Sequence, residues 1–319
     1  MTEILQISPL RAIVPDTLGK MFTIHRLWEA EDPDALLAEI GPRITAVLAG
    51  QKTIDGAFMD RLPALQIIAG FGVGYDQIDA EAAADRGIVV THTPDVLSDE
   101  VADVTIALMI GTVRRLNAAE DYLRKGKWAS DGAFPLTASL RGRKAGIFGL
   151  GRIGKAICTR LQAMGMEVAY CGRSRQDVPL DYHQNIADLA RACDVLILAE
   201  PGTDDTKGIV DAALLDALGP NGFLINIGRG SLVNEVDLAK ALEEGRIAGA
   251  GLDVFADEPR PLPALLDAPN TMLLPHVASA SDHTRDAMGQ LVVDNVTSWF
   301  DSGKPITPVP ESRRLLTDG

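Results

Sequence analysis

Residues 144–154 of the chain read KAGIFGLGRIG, an apolar run followed by three glycines at the spacing G-x-G-x-x-G, with a helical pattern after them. This order predicts a β-strand, a tight turn and a helix N-terminus, the arrangement that binds the pyrophosphate of a dinucleotide. Gly149 permits the turn, Gly151 lets the backbone approach the phosphates, and Gly154 allows the helix to pack closely on the strand. Free amides and the helix dipole then favour negative charge there.

The choice of dinucleotide depends on the end of the next strand, where an acidic residue would bind the adenosine 2′-hydroxyl of NAD. No acid stands there. The predicted strand 167–171 leads into Arg173, Ser174 and Arg175, and arginine binds phosphate through paired, charge-assisted hydrogen bonds. The turn therefore favours NADP(H), the cofactor with a 2′-phosphate. The alternative is an ordinary solvated basic turn on an acidic protein.

The composition limits the classes of partner. The 319 residues carry a formal net charge of −14, which disfavours duplex nucleic acid and anionic membranes, because both require a basic face. Three cysteines show neither C-x-x-C nor metal-ligand spacing, so we expect buried thiols and no metal site. No signal peptide or membrane-spanning run is recognisable, and a cytoplasmic location is expected.

Strand-like apolar runs occur in two series separated by segments long enough for helices. The first series comprises 4–7, 46–49, 67–69 and 88–91; the second comprises 145–148, 168–171, 195–199, 223–227, 249–254 and 272–274. Strands that alternate with helices predict parallel sheets with right-handed crossovers. The expected fold is therefore α/β, with two Rossmann-like or flavodoxin-like doubly wound domains and a cleft between them.

The boundaries follow from two helical patterns. One opens near Ser98, with acids in its first turn, and is expected to connect the domains. The other covers about 286–300 and is expected to return to the first domain. The predicted division is a substrate-binding domain, 1–98 plus 285–319, and a dinucleotide-binding domain, 99–284.

Three polar clusters, 226–230, 253–259 and 275–276, follow predicted strands of the second series, where open α/β sheets bind ligands. Reduction of a 2-oxo acid by a nicotinamide needs a cation for the carboxylate and ketone, a proton donor, and a carboxylate that orients the donor. Arg229, His276 and Glu258 can fill these roles in that order. Taken singly, each also fits a turn or loop residue without catalytic function, but together they indicate a catalytic site.

The ordered motifs resemble those of the D-isomer-specific 2-hydroxyacid dehydrogenase family over nearly the whole chain. They are the segments 70–76, 93–94, 149–154, 226–230, 253 with 258–259, and 275–278. The turn Arg173–Arg175 resembles the NADP-preferring glyoxylate and hydroxypyruvate reductase branch.

The resemblance implies a role for each matching position. Arg229 would hold the substrate carboxylate and carbonyl, His276 would be the acid/base, and Glu258 its partner. Val73 and Gly74 would offer backbone amides to the substrate carboxylate. The remaining matches would contact the cofactor: Arg152 and Ile153 at the pyrophosphate, Thr206, Ile227 and Gly228 along it, and Asp253 at the nicotinamide end.

The resemblance also implies a homodimer. Val104, Leu108 and Met109, on the helix from the domain junction, would be either interfacial or core, and Trp128 and Phe134 would reach the neighbouring subunit. One position departs from the family pattern: Glu200, an acid where a neutral residue is expected near the cofactor.

These observations lead to one main hypothesis, the NADPH-dependent reduction of glyoxylate, hydroxypyruvate or another small 2-oxo acid to the D-2-hydroxy acid. Three alternatives stay open at this point. A dinucleotide-sensing co-regulator has the same fold, and a dehydrogenase for a larger 2-oxo acid has the same chemistry. An enzyme resembling formate dehydrogenase is disfavoured, since that branch is expected to pair its histidine with an amide rather than with an acid such as Glu258.

Overall fold

A computed structural model describes residues 2–50 and 52–316. The chain forms two compact units, one made of the chain up to Leu97 together with the chain from Ser281, the other of Ser98–Ala280. The expected domains end their first segment at 98 rather than 97 and their second domain at 284 rather than 280. The second junction lies earlier because Ser281 caps the helix Asp282–Ser302, and the unit boundary falls at this cap.

The first unit contains a five-stranded parallel sheet in the order β2-β1-β3-β4-β5. Its strands are β1 Glu3–Gln6, β2 Thr23–Arg26, β3 Ile44–Ala49, β4 Ile67–Gly70 and β5 Val89–Thr91. Its α-helices are Ile13–Leu18, Pro33–Ile40, Gly56–Asp60, Ala80–Asp85 and Asp282–Ser302.

Apolar side chains cover both faces of this sheet. On one face the helix Asp282–Ser302 contributes Val292, Val293 and Val296 to a buried cluster with Ile4 and Ile67. On the other face a second cluster forms around Leu5, Val47, Ile68 and Val90. Burial on both faces explains why the central strands are continuous apolar runs rather than alternating patterns.

The second unit contains a seven-stranded parallel sheet in the order β12-β11-β10-β9-β6-β7-β8. Its strands are β6 Lys144–Phe148, β7 Glu167–Cys171, β8 Asp181–His183, β9 Val195–Leu198, β10 Phe223–Asn226, β11 Gly249–Leu252 and β12 Thr271–Leu273. The strand order reverses between β6 and β9, and such a reversal is where doubly wound sheets bind nucleotides.

The helices of the second unit are Ser98–Val113, Leu116–Arg124, Lys127–Ser130, Arg152–Ala163, Ile186–Ala192, Ala212–Leu218, Glu235–Glu243 and Pro263–Leu266. In the first of them Leu108 and Met109 are fully buried within the single chain, so these two side chains are core residues and not an exposed interface. Val104 is half-buried.

Two strands are absent from the sequence prediction, β2 and β8. Both are edge strands, and their residues are exposed or half-buried rather than buried. An edge strand pairs on one side only and needs less apolar surface, so it leaves a weak signal in the sequence. No helix within 2–50 and 52–316 combines the length and the apolar composition needed to cross a bilayer.

Candidate active site

The glycine turn lies between β6 and the helix Arg152–Ala163, at the reversal of strand order. Gly149 has a φ of 99°, which favours glycine. A Cβ at Gly154 would lie 2.1 Å from the carbonyl oxygen of Gly149, so a side chain there would push the helix off the turn. A Cβ at Gly151 would meet nothing within 4 Å. This open space at the N-cap of the helix fits a dinucleotide pyrophosphate, with Arg152 and Ile153 in the first helical turn.

The arginine turn that follows β7 is exposed at Arg173, Ser174 and Arg175. Its far end is held by Gln176, whose backbone N–H donates to the Tyr170 hydroxyl at 2.6 Å and whose Nε2 donates to the Leu150 carbonyl at 2.9 Å. The second bond connects the arginine turn to the glycine turn. Neither holding residue is predicted from the sequence, because the full burial of Tyr170 is a tertiary feature with no local signal.

Arg229 stands on a turn after β10 that the buried Asn226 shapes. The Asn226 amide donates to the Arg229 carbonyl at 2.9 Å and accepts from the Gly228 N–H at 3.1 Å. A Cβ at Gly230 would lie 1.8 Å from the carbonyl carbon of Phe255. The absence of a side chain at Gly230 therefore lets the turn that carries Arg229 pack against the loop that leads to Glu258. Asn226 belongs to the motif 226–230, but the sequence does not predict that its side chain holds this turn.

Glu258 and His276 form a close pair. The carboxylate Oε2 of Glu258 lies 2.7 Å from Nδ1 of His276, and its Oε1 accepts from the Phe255 N–H at 3.0 Å. A carboxylate oxygen only accepts hydrogen bonds, so Nδ1 of His276 carries the hydrogen in this pair. Nε2 is then the nitrogen left for proton exchange with a substrate. The side chain of His276 is 38% exposed and that of Glu258 is 34% exposed, which leaves the pair accessible to a small molecule.

Asp253 fixes the loop that carries His276. Its two carboxylate oxygens accept from the N–H groups of Val277 and Ala278 at 2.8 and 2.9 Å, and its carbonyl accepts from the His276 N–H at 2.8 Å. Burial raises the pKa of Asp253, against the lowering effect of the two amides. His276 has a φ of 54°, a costly conformation for a residue with a side chain. These bonds place Asp253 in support of the loop that carries His276, while its predicted nicotinamide contact stays a prediction.

Two other predicted cofactor residues lie in loops of the second unit. Thr206 ends a short 3₁₀ turn, where its hydroxyl accepts from the Thr203 N–H at 2.8 Å. Ile227 is buried directly after β10. The structure thus shows what holds each residue, and their contacts with a cofactor, like that of Gly228, stay predictions.

Val73 and Gly74 lie in the first unit, after β4. The Nδ1–H of His92 donates to the Val73 carbonyl at 2.9 Å, and the Thr93 N–H donates to the Gly72 carbonyl at 2.8 Å. Throughout the described residues, the N–H groups of Val73 and Gly74 donate to no protein acceptor. These amides are therefore available to an anion. The sequence does not predict that His92 holds this loop.

The cysteines are unsuited to nucleophilic chemistry. Cys158, Cys171 and Cys193 are free and buried, as the sequence predicted. Burial raises the pKa of Cys193 to about 12 and, with the Glu200 charge, that of Cys171 to about 11, so both remain protonated thiols at neutral pH.

Comparison with known proteins agrees with this geometry. Residues 106–278 match the family model described as D-isomer specific 2-hydroxyacid dehydrogenase, NAD binding domain. The chain is 42% identical over 308 residues to a glyoxylate/hydroxypyruvate reductase of Arabidopsis thaliana, covering 96% of this chain and 98% of that protein. It is 43% identical over 309 residues to a 2-ketogluconate reductase of Gluconobacter oxydans, with the shares again 96% and 98%.

A solved structure is similar over nearly the full length. It is an NADPH-dependent glyoxylate/hydroxypyruvate reductase from Sinorhizobium meliloti in complex with NADP and malonate, with 49% identity, a TM-score of 0.92 and 97% of each chain covered. Together with the glycine turn and the Glu258–His276 pair, these matches show that the chain belongs to the D-isomer-specific 2-hydroxyacid dehydrogenase family.

Proposed function

We propose that this protein is an NADPH-dependent reductase that converts a small 2-oxo acid, such as glyoxylate or hydroxypyruvate, to the D-2-hydroxy acid. The observation that carries the proposal is the 2.7 Å pair of Glu258 and His276 on loops at the carboxyl end of the sheet that also presents the glycine turn. A cation, an acid/base and its orienting carboxylate are the groups that carbonyl reduction requires.

Bound NADPH would supply the hydride to the carbonyl carbon. His276 would donate the proton to the carbonyl oxygen from Nε2, since Glu258 occupies Nδ1. Glu258 holds the ring in one orientation and stabilises the imidazolium form, as a carboxylate partner does for a catalytic histidine. Asp253 keeps the histidine loop in its strained conformation, so that the ring needs no rearrangement before the proton moves.

Arg229 would bind the substrate carboxylate and polarise the ketone oxygen. A guanidinium suits both tasks, because its planar set of donors binds carboxylate oxygens in pairs. The free amides of Val73 and Gly74, in the first unit, are proposed as further donors to a substrate carboxylate. These donors would explain how a chain of net charge −14 binds an anionic substrate.

The choice of NADPH rests on Arg173 and Arg175. Both are exposed on a turn that Tyr170 and Gln176 hold in place, and the strand before them ends without the acid that NAD-specific sites use. The similar Sinorhizobium meliloti enzyme is described with NADP bound, which supports the same preference here.

The size of the substrate is tested over a range, because the similar Gluconobacter oxydans protein is named for reduction of a larger acid, 2-ketogluconate.

We also propose that the protein is a homodimer acting in the cytoplasm. Leu123, Trp128 and Leu136 are large apolar side chains left exposed on the single chain, as residues covered by a second subunit would be. Light scattering of the purified protein tests the dimer.

The loss of NADPH absorbance with glyoxylate, hydroxypyruvate, 2-ketogluconate and phenylpyruvate tests the function, with NADH run in parallel. NADPH-selective turnover of the two small acids supports the proposal. A preference for NADH contradicts the cofactor assignment, and a preference for the larger acids contradicts the substrate class. Nucleotide binding without turnover of any acid favours a dinucleotide sensor instead.

A further inference from the structure

Glu200 is an acidic side chain placed inside the nucleotide-binding edge of the sheet. It follows β9 (Val195–Leu198) closely, the strand beside β6 at the reversal of strand order. A Cβ built on Gly149 would lie 2.7 Å from both the backbone N and the carboxylate Oε2 of Glu200. The carboxylate therefore lies against the first glycine of the dinucleotide turn, and not out in solvent.

The charge of this carboxylate interacts with two neighbouring groups, Arg173 and Cys171. Burial raises the pKa of Glu200, and the Arg173 guanidinium opposes that rise. The same carboxylate contributes to the raised pKa of Cys171 at the end of β7. The Glu200 carboxylate thus lies against the glycine turn, and the charge of Arg173 on the arginine turn acts on it.

We propose that Glu200 is a specificity-determining residue that limits the preference of this protein for NADPH over NADH. The inference rests on the proposed function, because it assumes that Arg173 binds the 2′-phosphate. Arg173 would be shared between that phosphate and Glu200, and the half-buried carboxylate would repel the phosphate through a medium of lower dielectric than water. NADH carries no charge at this position, so Glu200 weakens its binding much less.

A direct binding experiment tests this without catalysis. Dissociation constants for NADPH and NADH are measured by calorimetry, without substrate, for the wild type, Glu200→Gln and Glu167→Gln. Glu167 is an exposed acid at the opposite end of β7, so its variant removes the same charge from the same sheet but away from the turn. Glu200→Asp keeps the charge while changing the size.

Glu200→Gln is expected to tighten NADPH binding by about tenfold and to change NADH binding by less than about twofold. Glu167→Gln and Glu200→Asp are expected to keep the wild-type ratio of the two constants within about threefold. The gain of Glu200→Gln should shrink at high salt, because added ions screen the repulsion. Thermal melting confirms that the variants are folded, and Glu200→Ser takes the place of Glu200→Gln if that variant fails to fold.

An unchanged NADPH/NADH ratio in Glu200→Gln overturns the inference while leaving the proposed function intact. Equal weakening of both nucleotides also overturns it, since that is the result expected of a residue that only supports the turn. If the folded wild type binds neither nucleotide, the proposed function falls and the inference falls with it.

Discussion

The predicted nucleotide-binding turns and the proposed catalytic loops lie at the same edge of one sheet, yet they are specified in different ways. The glycine turn is a contiguous stretch, in which the positive φ of Gly149 and the close approach of Gly154 to the Gly149 carbonyl require glycine locally. The proposed catalytic residues Arg229, Glu258 and His276 lie on loops after three separate strands, and the structure pairs Glu258 with His276. Their positions depend on buried residues that hold the loops, Asn226 and Asp253.

NADPH binding and the chemical step should therefore be separable in this protein. Changes in the catalytic loops should lower turnover and leave NADPH bound, whereas changes around the arginine turn should alter NADPH affinity and leave the chemical step intact.

The largest effect is expected from Arg229→Gln. Loss of the guanidinium removes the proposed carboxylate clamp and the stabilisation of charge on the carbonyl oxygen, which should lower kcat/KM by about 10³-fold. The NADPH dissociation constant should change little. Steady-state kinetics and nucleotide titration measure the two quantities, with Arg260→Gln, on the neighbouring exposed loop, as the matched control. A large loss of NADPH affinity would show that Arg229 belongs to the binding region.

Glu258→Gln should lower kcat by about 10²-fold. The amide keeps the size of the side chain but no longer stabilises the imidazolium or fixes the tautomer of His276. The neighbouring acid Asp257 provides the control as Asp257→Asn, since it pairs only with the exposed Arg260 in the ion pairs of the described chain. Equal activities of the two variants would argue against the Glu258–His276 pair as the catalytic unit.

The double variant Arg173→Gln with Arg175→Gln should weaken NADPH binding by about 10- to 100-fold, because it removes two charge-assisted contacts to the 2′-phosphate. NADH binding and kcat with saturating NADH should stay near wild type. Arg191→Gln removes a cation from the same unit and controls for net charge, since Arg191 pairs with Asp188 on a helix surface. Equal losses for both nucleotides would contradict the phosphate assignment.

The smallest effect is expected from Tyr170→Phe. Without the hydroxyl, the Gln176 N–H loses its 2.6 Å acceptor, which should cost about 1 to 2 kcal/mol of unfolding free energy and a few-fold in NADPH affinity. Denaturant unfolding and nucleotide titration measure both. Tyr182→Phe, whose hydroxyl makes only a 3.4 Å contact with the Gly172 carbonyl, should be nearly neutral, and a similar loss there would contradict the role given to Tyr170.

The same contrast explains what the sequence could predict. The central strands and the glycine turn are recognisable because local composition determines them, and the three proposed catalytic side chains stand out because each follows a strand. The edge strands β2 and β8 are missed because they need little apolar surface. The holding bonds of Asn226 and Tyr170 join residues close in the chain, and they are missed because they depend on loop conformations that the sequence does not show. The bond from Gln176 to Leu150 joins the ends of two strands, and it is a product of packing, as is the buried core position of Leu108 and Met109.

The most direct test of the account is the rate of hydride transfer in a single turnover, with His276→Ala and the wild type each saturated with NADPH and mixed with glyoxylate. The account predicts that the variant binds NADPH as tightly as the wild type and transfers hydride about 10²- to 10⁴-fold more slowly, the usual contribution of a positioned acid. A folded His276→Ala protein with an unchanged transfer rate would contradict the assignment of His276 as the proton donor.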